Sequence, residues 1–281
     1  MTSSASARVA LVQCEVSDGV PTPSTLAAAG DRVRAAMTSA AADGARVVVF
    51  PEGTLAYPHK RLLSDWSVVP WPAVTAALES IARHAAALGV WTVVGAPHRL
   101  SGAGRRPHNS LYVISPSGSL VTRYDKRRLS MTEVTRLYTP GSDAVAFDVD
   151  GVRIGLALCL EMIFPELFVA YALDGVDLVV VASAPDSGGG FQRMAVGHAA
   201  MNATAVGLCC AAGGDGSSRS GVGSALGGWL SRSDDDRPCV VLADVGPAPD
   251  LGREYHRRAR TDLYDGLHAL DDPRSVDRST F

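Results

Sequence analysis

The feature that most constrains this chain is the alternation of short β-branched runs with longer alanine-rich segments. RVALVQC (8–14), ARVVVF (45–50), WTVVGAP (91–97) and VDLVVVAS (176–183) read as strands, the first of them fully buried. The alanine-rich stretch 24–43 predicts a helix closed by Gly44, and 71–88 a second one, started near Pro72 and stopped by Gly89. Strands separated by helices define an α/β protein.

The middle of the chain reads differently. NSLYVIS (109–115) and SLVTRYD (119–125) flank Pro116-Ser117-Gly118, a turn signal, and predict a hairpin. AVAFDVDGVRIGLALC (144–159) repeats the arrangement around Asp150-Gly151 and runs into Cys159. Helices are expected near 164–173 and 191–206, then a strand VGLCCAAG (206–213) and a Gly/Ser-rich loop to Gly223. SAL (224–226) and CVVLADV (239–245) suggest a final hairpin, and the charged, poorly periodic segment 247–281 suggests an extended tail over the surface or onto a partner. No composition break or internal repeat divides the 281 residues. One domain over 1–281, two packed sheets with helices outside, is the simplest layer solution.

A chain this long buries enough surface to need neither disulfide nor metal. Its net charge of −3 and lack of a basic stripe argue against nucleic acid. No run of about 18 apolar residues predicts a membrane span, and MTSSASARVALVQ is not built like a signal peptide. The five scattered cysteines include no C-x-x-C pair, against a disulfide framework or structural zinc. A cytoplasmic setting is expected. AGGDGSSRSGVG (212–223) lacks the order of a phosphate loop, and Asp234–Asp236 reads as a solvated tip.

Three polar residues stand where strands stop: Glu52 after VVVFP, Lys126 after LVTRYD and Cys159 after GLAL. Taken singly, each has an ordinary explanation: a solvated carboxylate, a basic turn, a small buried hydrophobe. Side chains at strand ends also converge on one rim in α/β proteins, where binding sites form.

Together these segments resemble the nitrilase superfamily of carbon–nitrogen hydrolases. RVALVQ and ARVVVFPEG are similar to the strand that carries the family's catalytic glutamate; RYDKRRLSMTE with LYTPG to the segment of its lysine, second glutamate and Pro-Gly. VRIGLALCLEMIFPEL resembles the cysteine elbow with its Phe-Pro-Glu, and GVGSAL and RTDLY two later landmarks. The resemblance implies a four-layer αββα sandwich. It implies Glu52 as general base, Lys126 as stabiliser of the tetrahedral intermediate, Cys159 as nucleophile, and Glu133 positioning Lys126 and the substrate. A neutral thiol needs a base to take its proton, and the attacked carbonyl needs donors for its growing charge. It further implies a homodimer or higher homo-oligomer, a small amide or N-carbamoyl substrate, and no cofactor or metal.

The chain departs from the family pattern in places. Leu160-Glu161 follows the nucleophile where amidases carry an aromatic and Asp; Glu161 echoes true nitrilases, while FPEL echoes amidases. The stretch starting at Ala184 (APDSGGGFQR) replaces the usual Asn-Pro with glycines, and HAAMN places His198 and Asn202 on the following helix. Leu160, Glu161, Ala184, His198 and Asn202 are the candidate substrate contacts. The expected activity is hydrolysis of a small linear amide or N-carbamoyl compound through a thioacyl intermediate. A nitrile-hydrolysing enzyme, a silent ligand-binding relative and an ammonia-supplying partner of a synthetase are the alternatives.

Overall fold

A computed structural model describes residues 5–17, 19–56, 65–102, 104–186, 188–213, 215–248, 250–269, 271–272 and 275. In chain order the strands are β1 Ala7–Gln13, β2 Val47–Val49, β3 Trp91–His98, β4 His108–Ile114, β5 Leu120–Asp125 and β6 Ala146–Val149. They continue with β7 Val152–Leu158, β8 Leu178–Ser183, β9 Ala205–Cys210, β10 Gly221–Gly223, β11 Trp229–Arg232 and β12 Cys239–Val245. The helices are α1 Pro23–Ala42, α2 Trp71–Leu88, α3 Pro165–Leu173, α4 Gly190–Asn202 and α5 Asp250–Ala259. Two six-stranded sheets result, ordered β12-β1-β2-β3-β4-β5 and β11-β10-β9-β8-β7-β6.

Alternation along the strands sorts the apolar residues into three cores. Val9, Leu11, Val47, Val49 and Val93 meet Ile154, Leu156, Leu158, Leu178 and Val180 between the sheets. Ala10, Val12, Val48 and Phe50 point the other way, against Leu26, Val33 and Met37 of α1 and Val74 and Ile81 of α2. Val179, Val181 and Leu208 likewise face Phe168 and Tyr171 of α3 and Ala195 of α4. Strands covered on both faces must be apolar at nearly every position, which is why these runs showed no polar alternation. The αββα layering expected from the resemblance is therefore present.

Gln13 at the end of β1 is 1% exposed and ties the sheets together. Its Nε2 donates to the carbonyls of Asp235 (2.8 Å) and Arg237 (2.7 Å), while its Oε1 accepts from Ser220 N (2.7 Å) and Ser233 Oγ (3.1 Å).

Two expectations are corrected. SAL and CVVLADV do not form a hairpin: β10 (221–223) pairs with β11 (229–232), and β12 crosses to the other sheet, antiparallel to β1 with Ala7 opposite Val245. Edge pairing with β1 buries Val241, Ala243 and Val245 in the inter-sheet core, which a local hairpin would leave outside. The segment 247–281 is not extended throughout, since α5 is helical; the part beyond 275 lies outside the described residues. Arg253 holds α5 down through Asp177 Oδ1 at 3.0 Å. Among the described residues no helix is long and apolar enough to cross a membrane.

Replacing Gln13 with Leu removes four hydrogen bonds and strands buried donors and acceptors. Each unsatisfied group costs about 1–3 kcal/mol. Gln13→Leu is expected to lower stability by roughly 3 kcal/mol in urea unfolding.

Candidate active site

β2, β3 and β5 end on the same side of the first sheet, where β4 begins, and β7 and β8 end opposite them in the second. Lys126 and Cys159 immediately follow β5 and β7, and Glu52 follows β2 after Phe50 and Pro51. Glu52, Lys126 and Glu133 are each 1% exposed. Lys126 Nζ donates to Glu52 Oε1 at 2.9 Å and to Glu133 Oε1 at 2.8 Å.

Each member of this cluster is anchored by backbone or amide groups. Asn109 Nδ2, at the start of β4, donates to Glu52 Oε1 at 2.7 Å, and the Ala184 backbone N–H donates to Glu52 Oε2 at 3.2 Å. Glu133 opens a π turn, Glu133–Leu137, and its Oε2 accepts from Ser130 N at 2.7 Å. Close backbone approach explains two glycines. A Cβ on Gly95 of β3 would lie 2.6 Å from both Gly53 N and Pro51 O, so only glycine lets the Glu52 turn pack there. Gly141, the glycine of LYTPG, donates to Lys126 O at 2.9 Å and has Asp125 where its side chain would be.

Cys159 follows β7 with φ 50°, in the left-handed region. For a residue with a Cβ this conformation costs about 1–2 kcal/mol. It turns the chain sharply into the 3-10 turn Cys159–Ile163. Burial pushes the Cys159 thiol up to about 12, with the Glu52 carboxylate adding to the rise; Lys126 and the Ser183 hydroxyl pull the other way. Burial also works against charge on Lys126, but Glu52, Cys159 and Glu133 outweigh it and hold the ammonium well above its ordinary pKa. The resting arrangement is therefore a neutral thiol beside a lysinium shared by two glutamates. Such a set can take a proton from sulfur at Glu52 and offer a positive donor to a developing oxyanion.

Glu161 takes a different place from the one its spacing suggested. It is 0% exposed, and all its acceptor positions are occupied. Oε1 accepts from Arg127 N (2.8 Å) and Arg128 N (2.9 Å); Oε2 accepts from Tyr124 Oη (2.6 Å) and Leu158 N (2.7 Å). With no lone pair left for a substrate, it bolts the turn at Cys159 to the segment that carries Lys126. His198 lies behind the same turn, stacked on Phe168 with ring centroids 3.9 Å apart, its Nε2 at 2.9 Å from Met162 O. Burial lowers its pKa. Asn202 donates to the His198 carbonyl within α4 at 2.9 Å. His198 thus meets the elbow through Met162 while Asn202 bonds within its own helix, and a sequence spacing cannot distinguish either from pointing into the pocket. Leu160 is half-buried next to Cys159, and Ala184 meets the cluster through its backbone alone.

Asn109, Ser183 and Tyr124 were not picked out from the sequence. Ser183 stands where β8 stops, so the same signal would have found it, whereas Asn109 lies near the start of β4. Among the described residues no group of three or more His, Cys, Asp or Glu is placed to hold a metal ion.

Two mixed sheets thus lie between helix layers, with a buried lysine, two buried glutamates and a half-buried cysteine at one rim. The model of the carbon–nitrogen hydrolase family matches residues 8–228. The chain belongs to that family. A Mycobacterium tuberculosis protein named as a hydrolase is 32% identical over 160 residues, 54% of this chain and 54% of that protein. Deaminated glutathione amidase of Escherichia coli O157:H7 is 32% identical over 79 residues, 27% of this chain and 30% of that protein. At its first-matched relatives the chain thus spans about half of the curated protein's length. A solved amidase from Nesterenkonia sp. AN1, of the nitrilase superfamily, shares the fold with a TM-score of 0.75 at 20% identity, over 94% of this chain and 97% of that one.

Two outcomes follow from the geometry. Glu52→Gln removes the negative charge that raises the thiol, so the Cys159 thiolate absorbance, read against a Cys159→Ala control, is expected to titrate at lower pH than in the native chain. Glu161→Gln sets an amide N–H against backbone donors and is expected to cost about 2–3 kcal/mol in urea unfolding.

Proposed function

We propose that the chain hydrolyses the C–N bond of a small linear amide or N-carbamoyl compound, with Cys159 as nucleophile. The observation that carries this is the Lys126 ammonium bound to Glu52 and Glu133 while both Glu52 and Lys126 act on the Cys159 thiol. Glu52 accepts the thiol proton as sulfur attacks the carbonyl carbon. Lys126 and the backbone N–H after Cys159 stabilise the oxyanion. Glu52 returns its proton to the leaving nitrogen, so ammonia or an amine departs and a thioester remains. Glu52 then takes a proton from water, which attacks the thioester and releases the acid and the thiol.

An activated cysteine in a relative of this fold supports the reading: the Nesterenkonia amidase, in one mutant, carries the acetamide moiety of fluoroacetamide covalently at its active-site cysteine. Glu161 was the feature shared with nitrile-hydrolysing enzymes, and here it is spent on the chain's own donors, so it lends that alternative nothing. Ammonia release from a panel of amides, carbamoyl compounds and nitriles tests the reading. Cys159→Ala is expected to abolish release, and Glu52→Gln to reduce kcat by about 10²–10⁴-fold. Release from nitriles alone would overturn the amide assignment; full activity in Cys159→Ala would overturn the nucleophile.

The expected homodimer is supported by the outer face of α4, where Met194 and Met201 are exposed seven residues apart, on one side of the helix. Met194→Glu with Met201→Glu is expected to convert a dimer into a monomer in sedimentation; a native chain that is already monomeric would sink this reading.

A further inference from the structure

A cleft of about 300 Å³ opens between the β3–β4 loop and the π turn that begins at Glu133. Arg99, Arg105, Arg106 and Arg136 line it, together with Trp66 and Trp71. None of these four arginines forms an ion pair among the described residues. Among the described lining residues the carboxylate is Asp65, which is turned to Ser67: the Ser67 N–H donates to it at 2.8 Å and the Ser67 hydroxyl donates to its other oxygen. Four arginines against one aspartate leave the lining of the cleft with a net positive charge, which favours an anion there.

The aromatic side of the cleft is held in place. Trp66 Nε1 donates to Leu137 O at 2.7 Å; the Trp66 and Trp71 rings stack 6.0 Å apart; and the Arg99 guanidinium lies 5.9 Å from the Trp71 ring centroid. Both walls lead directly to the buried cluster. The loop wall continues from Pro107 into Asn109, which holds Glu52. The other wall is the turn from Glu133 to Leu137, which holds Lys126. The walls are stitched to each other by Thr139 N to Pro107 O (2.8 Å) and Thr139 Oγ1 to Arg106 O (2.7 Å).

We propose that this cleft is a binding subsite for an oxyanion, a carboxylate or phosphate group, next to the carbon–nitrogen hydrolase site. Planar guanidinium groups match the paired oxygens of either anion. The anion arrives either as the charged end of the substrate or as a separate ligand. Binding itself does not rest on the proposed hydrolase reading; only the choice between those two sources does.

Titration of the full chain with inorganic phosphate, followed by tryptophan fluorescence, tests the subsite because Trp66 and Trp71 line it. A saturable change is expected, weakened by added sodium chloride. Arg105→Ala with Arg136→Ala is expected to raise the phosphate Kd at least tenfold, and Arg136→Lys alone to raise it less. No saturable change, or an unchanged Kd in the double variant with an unaltered melting curve, overturns the proposal. A second arm compares a linear amide ending in carboxylate with its methyl ester. If phosphate competes with the acid and the ester has the higher KM, the anion belongs to the substrate. If phosphate alters turnover of both amides without competing, it is a separate ligand. Absence of turnover with any amide overturns the hydrolase reading and leaves the phosphate titration to decide the subsite.

Discussion

The buried Lys126 ammonium between Glu52 and Glu133 is the interaction on which the rest of the structure depends. Burying any one of these charges alone costs several kcal/mol after relaxation. Two carboxylates about one lysine leave the cluster with a net negative charge. Burial first, and then the further negative charge that a neighbouring thiolate would add, keep Cys159 protonated beside an acceptor for its proton. An ammonium this well paired is also fixed in position, so its donor direction is set before any ligand arrives.

Such a cluster requires backbone held to within a fraction of an ångström, and the surrounding residues are explained by that need. Gly95 admits the Glu52 turn against β3, Gly141 admits the return of the chain beneath Lys126, and Asn109 orients the carboxylate of Glu52. Glu161 links the two sheets at the rim by joining Leu158 N to the amides of Arg127 and Arg128. Gln13 does the same further along, among Ser220, Ser233, Asp235 and Arg237. Both are polar residues spent wholly on the chain's own backbone and hydroxyls.

Much of this was legible in the sequence because each strand is apolar until it stops. The change from VVVF to Glu52, or from GLAL to Cys159, marks a rim position wherever the strand lies in its sheet. Side-chain direction was not legible. Glu161, His198 and Asn202 follow the nucleophile at plausible spacings, yet they face the interior of the chain, since the sharp turn at Cys159 and the pitch of α4 aim them there. Pairing between distant segments was equally hidden. Nothing local to CVVLADV says that its partner is β1, over 200 residues away; the nearer SAL was the simpler guess. The helix α5 was missed because charged residues dominate DLGREYHRRA and leave few apolar positions to read a period from, its anchor being Arg253 on Asp177.

The protonated state of Cys159 has a bearing on durability. Peroxide attacks thiolates, and the climb from sulfenic to sulfinic acid begins there. A thiol held near 12 by burial and by Glu52 presents almost no thiolate at neutral pH. A sulfur kept as the thiol is, on this chemistry, a slow target for peroxide at neutral pH.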